Sequence, residues 1–172
     1  MDDEILDLVD RNDVVIGTIN RMDYQRILNE DLGYIRAVDL FIVNSKGQVY
    51  VPTRTADKTI APNGYDFSVG GHVGSGENYI GTLVREADEE LNMVVDPKEV
   101  TLIDKTILDE IRYIRHLYLL KSDLTPDYNP GDFVKAEWMM PSELIEEIDN
   151  GHPAKSNLKA SLDTLKEWLA LE

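Results

Sequence analysis

Apolar residues in the first half of the chain occur in short runs of β-branched and aliphatic side chains bounded by turn-forming residues. This pattern is typical of β-strands. It predicts strands over 5–9, 14–19, 37–43 and 49–52, the last two joined by a turn at 44–47. In the third run, alternation places Val38, Leu40 and Ile42 on one face of the strand. Phe41 and Val43 lie on the opposite face.

The second half of the chain adds helices. Over 78–91 apolar residues recur at helical spacing, and Asn78 is a suitable N-cap. The remaining predicted elements are strands over 100–107 and 111–120, an apolar run around Trp138, a helix that begins at Pro141 and an amphipathic helix over 156–171. Strands around one central helix, with two helices at the end, predict an α/β fold. We expect a mixed sheet between helices, an α/β/α sandwich, as one domain over 1–172.

Composition and charge exclude several classes of protein. The 172 residues include 33 acidic and 17 basic side chains, which gives a net charge of −16 at pH 7. We therefore expect neither nucleic acid nor an acidic membrane surface as a partner. The absence of cysteine excludes disulfides, thiolate nucleophiles and cysteine-ligated metals. No membrane-spanning run or signal peptide is present in the sequence, so we expect a cytoplasmic protein.

Three carboxylates occupy neighbouring positions on the helix predicted over 78–91. Glu86, Glu89 and Glu90 are three or four residues apart or adjacent, so their side chains project close together. Their mutual repulsion costs about 0.2–0.5 kcal/mol per pair, which a bound cation would offset. Mg²⁺ prefers oxygen ligands and suits a carboxylate cluster completed by substrate phosphates. The alternative is an ordinary solvated acidic face.

The segment before this helix is rich in glycine, with Gly70, Gly71, Gly74 and Gly76. Glycine permits sharp turns and a close approach of the backbone to a ligand beside a helix N-terminus. Glu77 lies where this segment meets the helix. Arg85, two turns later, can form an ion pair with Glu77 or with one of the clustered carboxylates.

Residues 71–93, which we call the box, resemble the signature of the Nudix hydrolases. That signature is a glycine, five residues, a glutamate, seven residues and then Arg-Glu-U-x-Glu-Glu-x-Gly-U, with U a bulky aliphatic residue. Gly71 is followed after five residues by Glu77 and after seven more by Arg85, with the glutamates in register. Asn92 replaces the last glycine, a mild departure at a helix C-terminus.

The resemblance implies a hydrolase that uses Mg²⁺ or Mn²⁺ to cleave a phosphoanhydride in a small nucleotide. The substrate would be a nucleoside di- or triphosphate, or a nucleoside diphosphate linked to another moiety. By resemblance Glu86, Glu89 and Glu90 bind the metal, and Glu89 and Glu90 are also catalytic. Arg85 and Glu77 orient these groups as part of the catalytic set. Gly71 would contact the metal or the substrate through its carbonyl.

Further candidates lie outside the box glutamates. The basic residues Arg36, Arg54 and Lys58 are candidates for phosphate contact, with surface solubility as the alternative. The general base is either a box glutamate or one of Asp109, Glu110, Asp132 and Glu137. Side chains that could stack on a nucleobase, although packing is the more ordinary role, are Tyr65, Tyr79, Tyr113 and Phe133. His72 lies in the box and is a site candidate, whereas His116 and His152 are expected to be structural. The segments 53–63 and 125–135 are expected to set substrate choice.

The first half also resembles the branch of this fold that includes isopentenyl-diphosphate isomerase. The similar features are the Leu-Asp-Leu-Val-Asp run at 6–10, Gly17, Arg36-Ala37-Val38 and Gly71-His72. Those isomerases use a cysteine and a histidine-rich metal site, but here cysteine is absent and Gln25 and Ile35 replace two of the histidines. Hydrolysis is therefore favoured over isomerisation. A non-catalytic nucleotide-binding module is a third hypothesis, which the intact glutamates disfavour, and a homodimer is left open.

Overall fold

A computed structural model describes residues 4–171. Its elements are β1 (Ile5–Val9), β2 (Val15–Asn20), α1 (Tyr24–Glu30), β3 (Ile35–Val43), β4 (Val49–Arg54), β5 (Val69–His72), α2 (Tyr79–Leu91), β6 (Val100–Leu108), β7 (Tyr113–Lys121), β8 (Phe133–Met139), α3 (Pro141–Asp149) and α4 (Leu158–Ala170). Most were predicted to within two residues at each end. The apolar pattern did not predict α1, and β5 was expected to be part of a glycine-rich loop.

The main sheet is mixed, as predicted. Its strand order is β6-β7-β3-β4-β8, and β5 pairs with β3. The strands β3 and β7 run parallel, whereas the other pairs are antiparallel. The predicted hairpin of β3 and β4 is paired only at Val43 and Val49. Farther along, Ser68 bridges the gap, because its hydroxyl accepts from the Ile42 N–H and donates to the Tyr50 carbonyl.

The two faces of β3 bury two different cores. Val38, Leu40 and Ile42 pack in a cluster with the apolar residues of α2. Phe41 and Val43 belong to a second cluster that includes apolar residues of α3 and α4. Helices therefore cover both faces of the sheet, which confirms the predicted α/β/α sandwich. None of the helices within residues 4–171 has the length and apolar run needed to cross a membrane.

The two elements that were not predicted have weak local signals. The helix α1 buries only Ile27, so it shows no apolar stripe. The strand β5 is four residues long and contains Gly70 and Gly71, which disfavour a strand in isolation. Its pairing with β3, where Gly70 lies opposite Asp39, defines it as a strand. Tertiary contacts, more than local sequence, therefore determine that α1 and β5 form.

Candidate active site

The helix of the box is capped at both ends by asparagine. The Asn78 side chain accepts a hydrogen bond from the Gly81 N–H, as the sequence predicted. At the other end Asn92 adopts a left-handed conformation, with φ of 48°. Glycine is preferred in this conformation, and asparagine is the next most tolerant residue. The departure from the signature at this position therefore preserves the helix ending.

Arg85 joins three carboxylates, and we call Glu77, Arg85, Glu86 and Glu89 the Arg85 cluster. Arg85 Nε lies 3.0 Å from Glu77 Oε1, and Nη1 lies 2.9 Å from Glu86 Oε1 and 3.2 Å from Glu89 Oε2. Glu77 also accepts from the Gly74 N–H and the Thr82 hydroxyl. The hydrogen bond from Arg85 is the largest cause that lowers the pKa of Glu77 to about 2. Glu77 thus holds Arg85 as a fixed ion pair.

Glu90 faces away from the Arg85 cluster. Its Oε2 accepts a hydrogen bond of 3.1 Å from the Gly70 N–H on β5. Burial raises the pKa of Glu90, and the nearby carboxylates of Asp66 and Glu86 raise it further. Burial also raises the pKa of Glu86, whose side chain is 14 % exposed against 56 % for Glu89. Burial therefore makes two of the box carboxylates costly to ionise, in the case of Glu86 even with Arg85 beside it.

Gly71 makes room for one of these carboxylates. A Cβ atom at position 71 would lie only 2.3 Å from the carboxyl carbon of Glu86. Any larger residue would displace the Glu86 side chain, so glycine at this position permits the close approach of the carboxylate. The second glycine of β5, Gly70, similarly borders Asp39 and Lys155.

A second group of charges, which we call the Lys155 cluster, consists of Lys155, Asp39, Asp66 and Glu90. Lys155 Nζ lies 3.4 Å from Asp66 Oδ1 and 3.6 Å from Asp39 Oδ1. Burial raises the pKa of Asp39 to about 6. Burial alone would lower the pKa of Lys155, but the attraction of the three carboxylates outweighs it and raises this pKa. This cluster was not predicted from the sequence, although a charged Asp39 inside an apolar strand was a signal for it.

A cleft of about 560 Å³ brings half of the candidate residues together, although neither Glu77 nor Arg85 lines it. The predicted residues that line it are Gly71, His72, Glu86, Glu89, Glu90, Arg54, Lys58, Tyr113 and Asp132. Arg54 forms an ion pair with Asp66, and Lys58 Nζ lies 2.6 Å from Asp132 Oδ1. Both candidate phosphate contacts are therefore at the cleft but already paired with carboxylates.

Arg36 lies elsewhere, contrary to the expectation that it contacts phosphate. It is absent from the cleft lining, and its Nε lies 2.6 Å from Asp13 Oδ1. Its guanidinium also covers the ring of Tyr79. The side chain thus fastens the turn between β1 and β2 to the start of α2. This position pairs the cation with a carboxylate of the protein itself, away from the cleft.

Several candidates for the general base and for stacking on a nucleobase also lie outside the cleft. Three of the possible bases, Asp109, Glu110 and Glu137, do not line the cleft. Asp109 pairs with Arg11, Glu137 pairs with Lys135, and Glu110 is exposed. The aromatic candidates outside the cleft are Tyr65, stacked on His152, Tyr79, stacked on His116, and Phe133, buried in the core.

His72 lines the cleft but is not available as a charged group. Its Nε2 lies 3.0 Å from the hydroxyl of Tyr113. Burial lowers the pKa of His72 to about 3, so the imidazole is neutral near pH 7. A role for His72 in the site would be as a neutral hydrogen-bonding group.

The donor set fits a hard divalent cation, although its carboxylates do not yet converge. Among residues 4–171 no group of three acidic or histidine side chains is placed to hold one ion. Glu86 and Glu89 share Arg85, while Glu90 faces Gly70, so the predicted convergence of all three is not observed. Oxygen donors with burial-raised pKa values on one cleft wall are nevertheless the chemistry that Mg²⁺ and Mn²⁺ prefer.

Comparisons with known proteins identify the family of the chain. The model of the NUDIX domain matches residues 33–162. The chain belongs to the Nudix family. A Nudix hydrolase of Nostoc sp. is 42% identical over 159 residues, which cover 90% of this chain and 91% of the relative. The crystal structure of DR0079 from Deinococcus radiodurans has a TM-score of 0.82 and 36% identity, and covers 93% of this chain and 98% of that chain.

A relative from the isomerase branch is also similar. Isopentenyl-diphosphate Delta-isomerase 1 of Photorhabdus laumondii is 30% identical over 149 residues, which cover 83% of each chain. The Nudix family comprises enzymes that act on phosphorus-containing anhydrides in small molecules and generally use divalent metal ions. The family assignment therefore establishes the class of chemistry and leaves the substrate to be proposed.

Proposed function

We propose that the protein is a Mg²⁺- or Mn²⁺-dependent hydrolase that cleaves a phosphoanhydride in a small nucleotide. Nucleoside di- and triphosphates are the first choice, followed by nucleoside diphosphates linked to another moiety. The observation that carries the proposal is one cleft lined by the box glutamates and by several cations. Negative and positive groups are both needed there, since a polyphosphate must be held together with its counterion.

In this proposal Glu86, Glu89 and Glu90 hold the metal, and the side chains around them position these ligands. The bound ion would activate water and neutralise charge on phosphate oxygens. Arg85, anchored by Glu77, orients Glu86 and Glu89. The box glutamates and Asp132 are the sequence candidates for the base that line the cleft, so the proton acceptor is chosen from these.

The second candidate function is isomerisation of isopentenyl diphosphate, favoured by the 30% identity to an isomerase. The chain contains no cysteine, so the acid or base expected of that branch is missing. The neutral His72, held next to Tyr113, does not replace it as a cationic acid. Hydrolysis is therefore the better-supported reaction.

Incubation with a panel of nucleotides tests the proposal. The protein is assayed with Mg²⁺ or Mn²⁺ and with EDTA, and the products are identified. We expect metal-dependent release of phosphate, diphosphate or mononucleotide from at least one member. Formation of dimethylallyl diphosphate from isopentenyl diphosphate, with no nucleotide turnover, would replace the hydrolase proposal by the isomerase. Tight nucleotide binding by a folded but inactive protein would favour the non-catalytic module.

A further inference from the structure

The helix α4 begins at the wall of the cleft. Ser156 and Asn157, which immediately precede it, both line the cleft. Asn157 is the N-cap residue, but it has a φ of 67° and its side chain makes no capping hydrogen bond. In the first turn, the Leu158 and Ser161 N–H groups donate to the carbonyls of Lys155 and Asn157, whereas those of Lys159 and Ala160 lack the side-chain acceptor that usually caps a helix. A 13-residue helix with such a start presents positive partial charge to the cleft.

Arg115, on β7, reaches the same place from the sheet. Its side chain is only 7 % exposed, and Nη1 donates a 2.8 Å hydrogen bond to the hydroxyl of Ser161 in the first turn of α4. Its Nε is buried without a hydrogen-bond partner within residues 4–171. The carboxylates of Asp39 and Asp104 are 3.8 Å from the guanidinium, beyond hydrogen-bonding distance. Buried charged donors are normally satisfied, so this group indicates a missing acceptor.

Lys155 is the second cation at this position, and it too is loosely held. Its distances of 3.4 Å to Asp66 and 3.6 Å to Asp39 exceed those of a charge-assisted hydrogen bond. By contrast, Lys58 lies 2.6 Å from its carboxylate partner Asp132. The Lys155 side chain is 26 % exposed and lines the cleft, so a ligand in the cleft can contact this side chain.

We propose that Arg115, Lys155 and the first turn of α4 form an anion subsite that binds a phosphoryl group. A tetrahedral phosphoryl group has several acceptor oxygens, which match an ammonium, a guanidinium and uncapped helix N–H groups better than a planar carboxylate does. None of these groups belongs to the box. The identification of the phosphoryl group as part of the substrate rests on the proposed function, whereas the anion subsite itself does not.

Gly70 connects this subsite to the box. Glu90 accepts from the Gly70 N–H, and Lys155 Nζ lies 3.0 Å from the position that a Cβ of residue 70 would take. Gly70 therefore lies between Lys155 and Glu90, so the subsite borders a proposed metal ligand. A diphosphate offers this subsite more acceptor oxygens and more negative charge than phosphate does.

The test is a two-dimensional NMR titration of the ¹⁵N-labelled protein with inorganic phosphate and with diphosphate, both in EDTA. We expect saturable shifts of the backbone amides of 155–161, with diphosphate binding more tightly than phosphate. Chloride at matched ionic strength should not produce them. Shifts confined to 54–58, or the absence of saturable shifts, would overturn the proposal.

Two matched variants sharpen the test. Lys155→Met should weaken diphosphate binding by roughly tenfold or more, the usual loss when a charged hydrogen-bond donor is removed. Lys159→Met removes a cation four residues farther along, in the first turn of α4, but Lys159 pairs with Asp149, so binding should be unchanged. Equal affinity in the two variants would contradict the proposal. If Lys155→Met does not fold, Arg115→Lys, which retains the charge and loses the guanidinium fork, should weaken binding instead.

The outcome is separable from that of the nucleotide panel. The titration needs neither metal nor turnover. An inactive panel with saturable shifts at 155–161 would overturn the proposed function and retain the subsite. Turnover of a nucleotide in the panel without those shifts would retain the proposed function and overturn the subsite.

Discussion

The Arg85 cluster and the Lys155 cluster both place one cation among three carboxylates, but they differ in how tightly it is held. Arg85 makes hydrogen-bonded contacts of 2.9–3.2 Å with its partners. Lys155 stays at 3.4 and 3.6 Å from its ion-pair partners. The first cluster comes from one loop and helix, whereas the second is assembled from β3, the segment before β5, α2 and the segment before α4.

This difference suits the Arg85 cluster to positioning the box glutamates and the Lys155 cluster to binding a ligand. The donors of Arg85 are committed to carboxylates, so the cluster keeps two box glutamates in place. The donors of Lys155 are held by longer contacts, in a cleft of about 560 Å³ that Glu90 also lines. Loosely paired charges can exchange partners with an incoming cation and anion at smaller cost. The four predictions below test this division of labour.

The largest effect is expected from Glu90→Gln, which removes a carboxylate of the Lys155 cluster. Turnover of the substrate found in the nucleotide panel should fall by about 10²–10⁴-fold. Stability at pH 7.5 should be unchanged or higher, since burial raises the pKa of Glu90 and ionisation therefore opposes folding. Steady-state kinetics and thermal unfolding measure the two effects. Asp88→Asn, an exposed acid on the same helix, is the control, and wild-type rates in Glu90→Gln would place the metal elsewhere.

The next largest effect is expected from Glu77→Gln, which loosens the Arg85 cluster. Activity should fall by roughly 10–100-fold, as for other residues that orient metal ligands. The lost hydrogen bonds to Arg85 should reduce the free energy of unfolding at pH 7 by about 1–2 kcal/mol, discounted because Glu77 is 34 % exposed.

The pH dependence of this variant has a defined sign. The pKa of Glu77 is lowered from 4.5 to about 2 in the folded state. Ionised Glu77 therefore stabilises the fold above pH 4.5, and this stabilisation is lost as the pH falls toward 2. Urea unfolding at several pH values should show the wild type and Glu77→Gln converging on acidification. Glu99→Gln, at an exposed site, should show no such trend, and a constant difference across the range would contradict the pairing with Arg85.

Arg36→Met should affect stability and leave substrate binding unchanged. Removing this partner of Asp13 and Tyr79 should lower the free energy of unfolding by about 1–3 kcal/mol. The KM should stay within about twofold of wild type, since Arg36 does not line the cleft. Arg26→Met, whose exposed pair with Glu30 is screened by water, is the matched control for stability. A raised KM with unchanged stability would restore Arg36 as a phosphate contact.

The smallest effect is expected from His72→Gln. Because burial lowers the pKa of His72 to about 3, the imidazole does not change charge between about pH 5.5 and 8. The profile of kcat/KM against pH should keep its shape, with the rate changed by at most about threefold. His116→Gln, which alters a stack outside the cleft, is the control. Loss of one limb of the profile only in His72→Gln would show that His72 titrates during turnover.

How well each part of the site could be predicted depends on how far apart its residues lie in the sequence. The Arg85 cluster could be predicted because Glu77, Arg85, Glu86 and Glu89 lie within one loop and helix. Helical periodicity alone makes side chains three or four residues apart neighbours. The Lys155 cluster could not be predicted, since Asp39 and Lys155 meet only through strand pairing and the packing of α4.

Sequence alone thus determined the layered fold, the capped helix of the box and the pairing of Arg85 with its carboxylates, all of which depend on short-range spacing and alternation. Tertiary structure alone decided that Arg36 serves the β1–β2 turn, that Glu90 turns from Glu86 and Glu89 toward β5, and that Arg115 and Lys155 meet at the start of α4. The physical reason is that burial and charge pairing between distant segments depend on strand order and register, which local patterns do not specify.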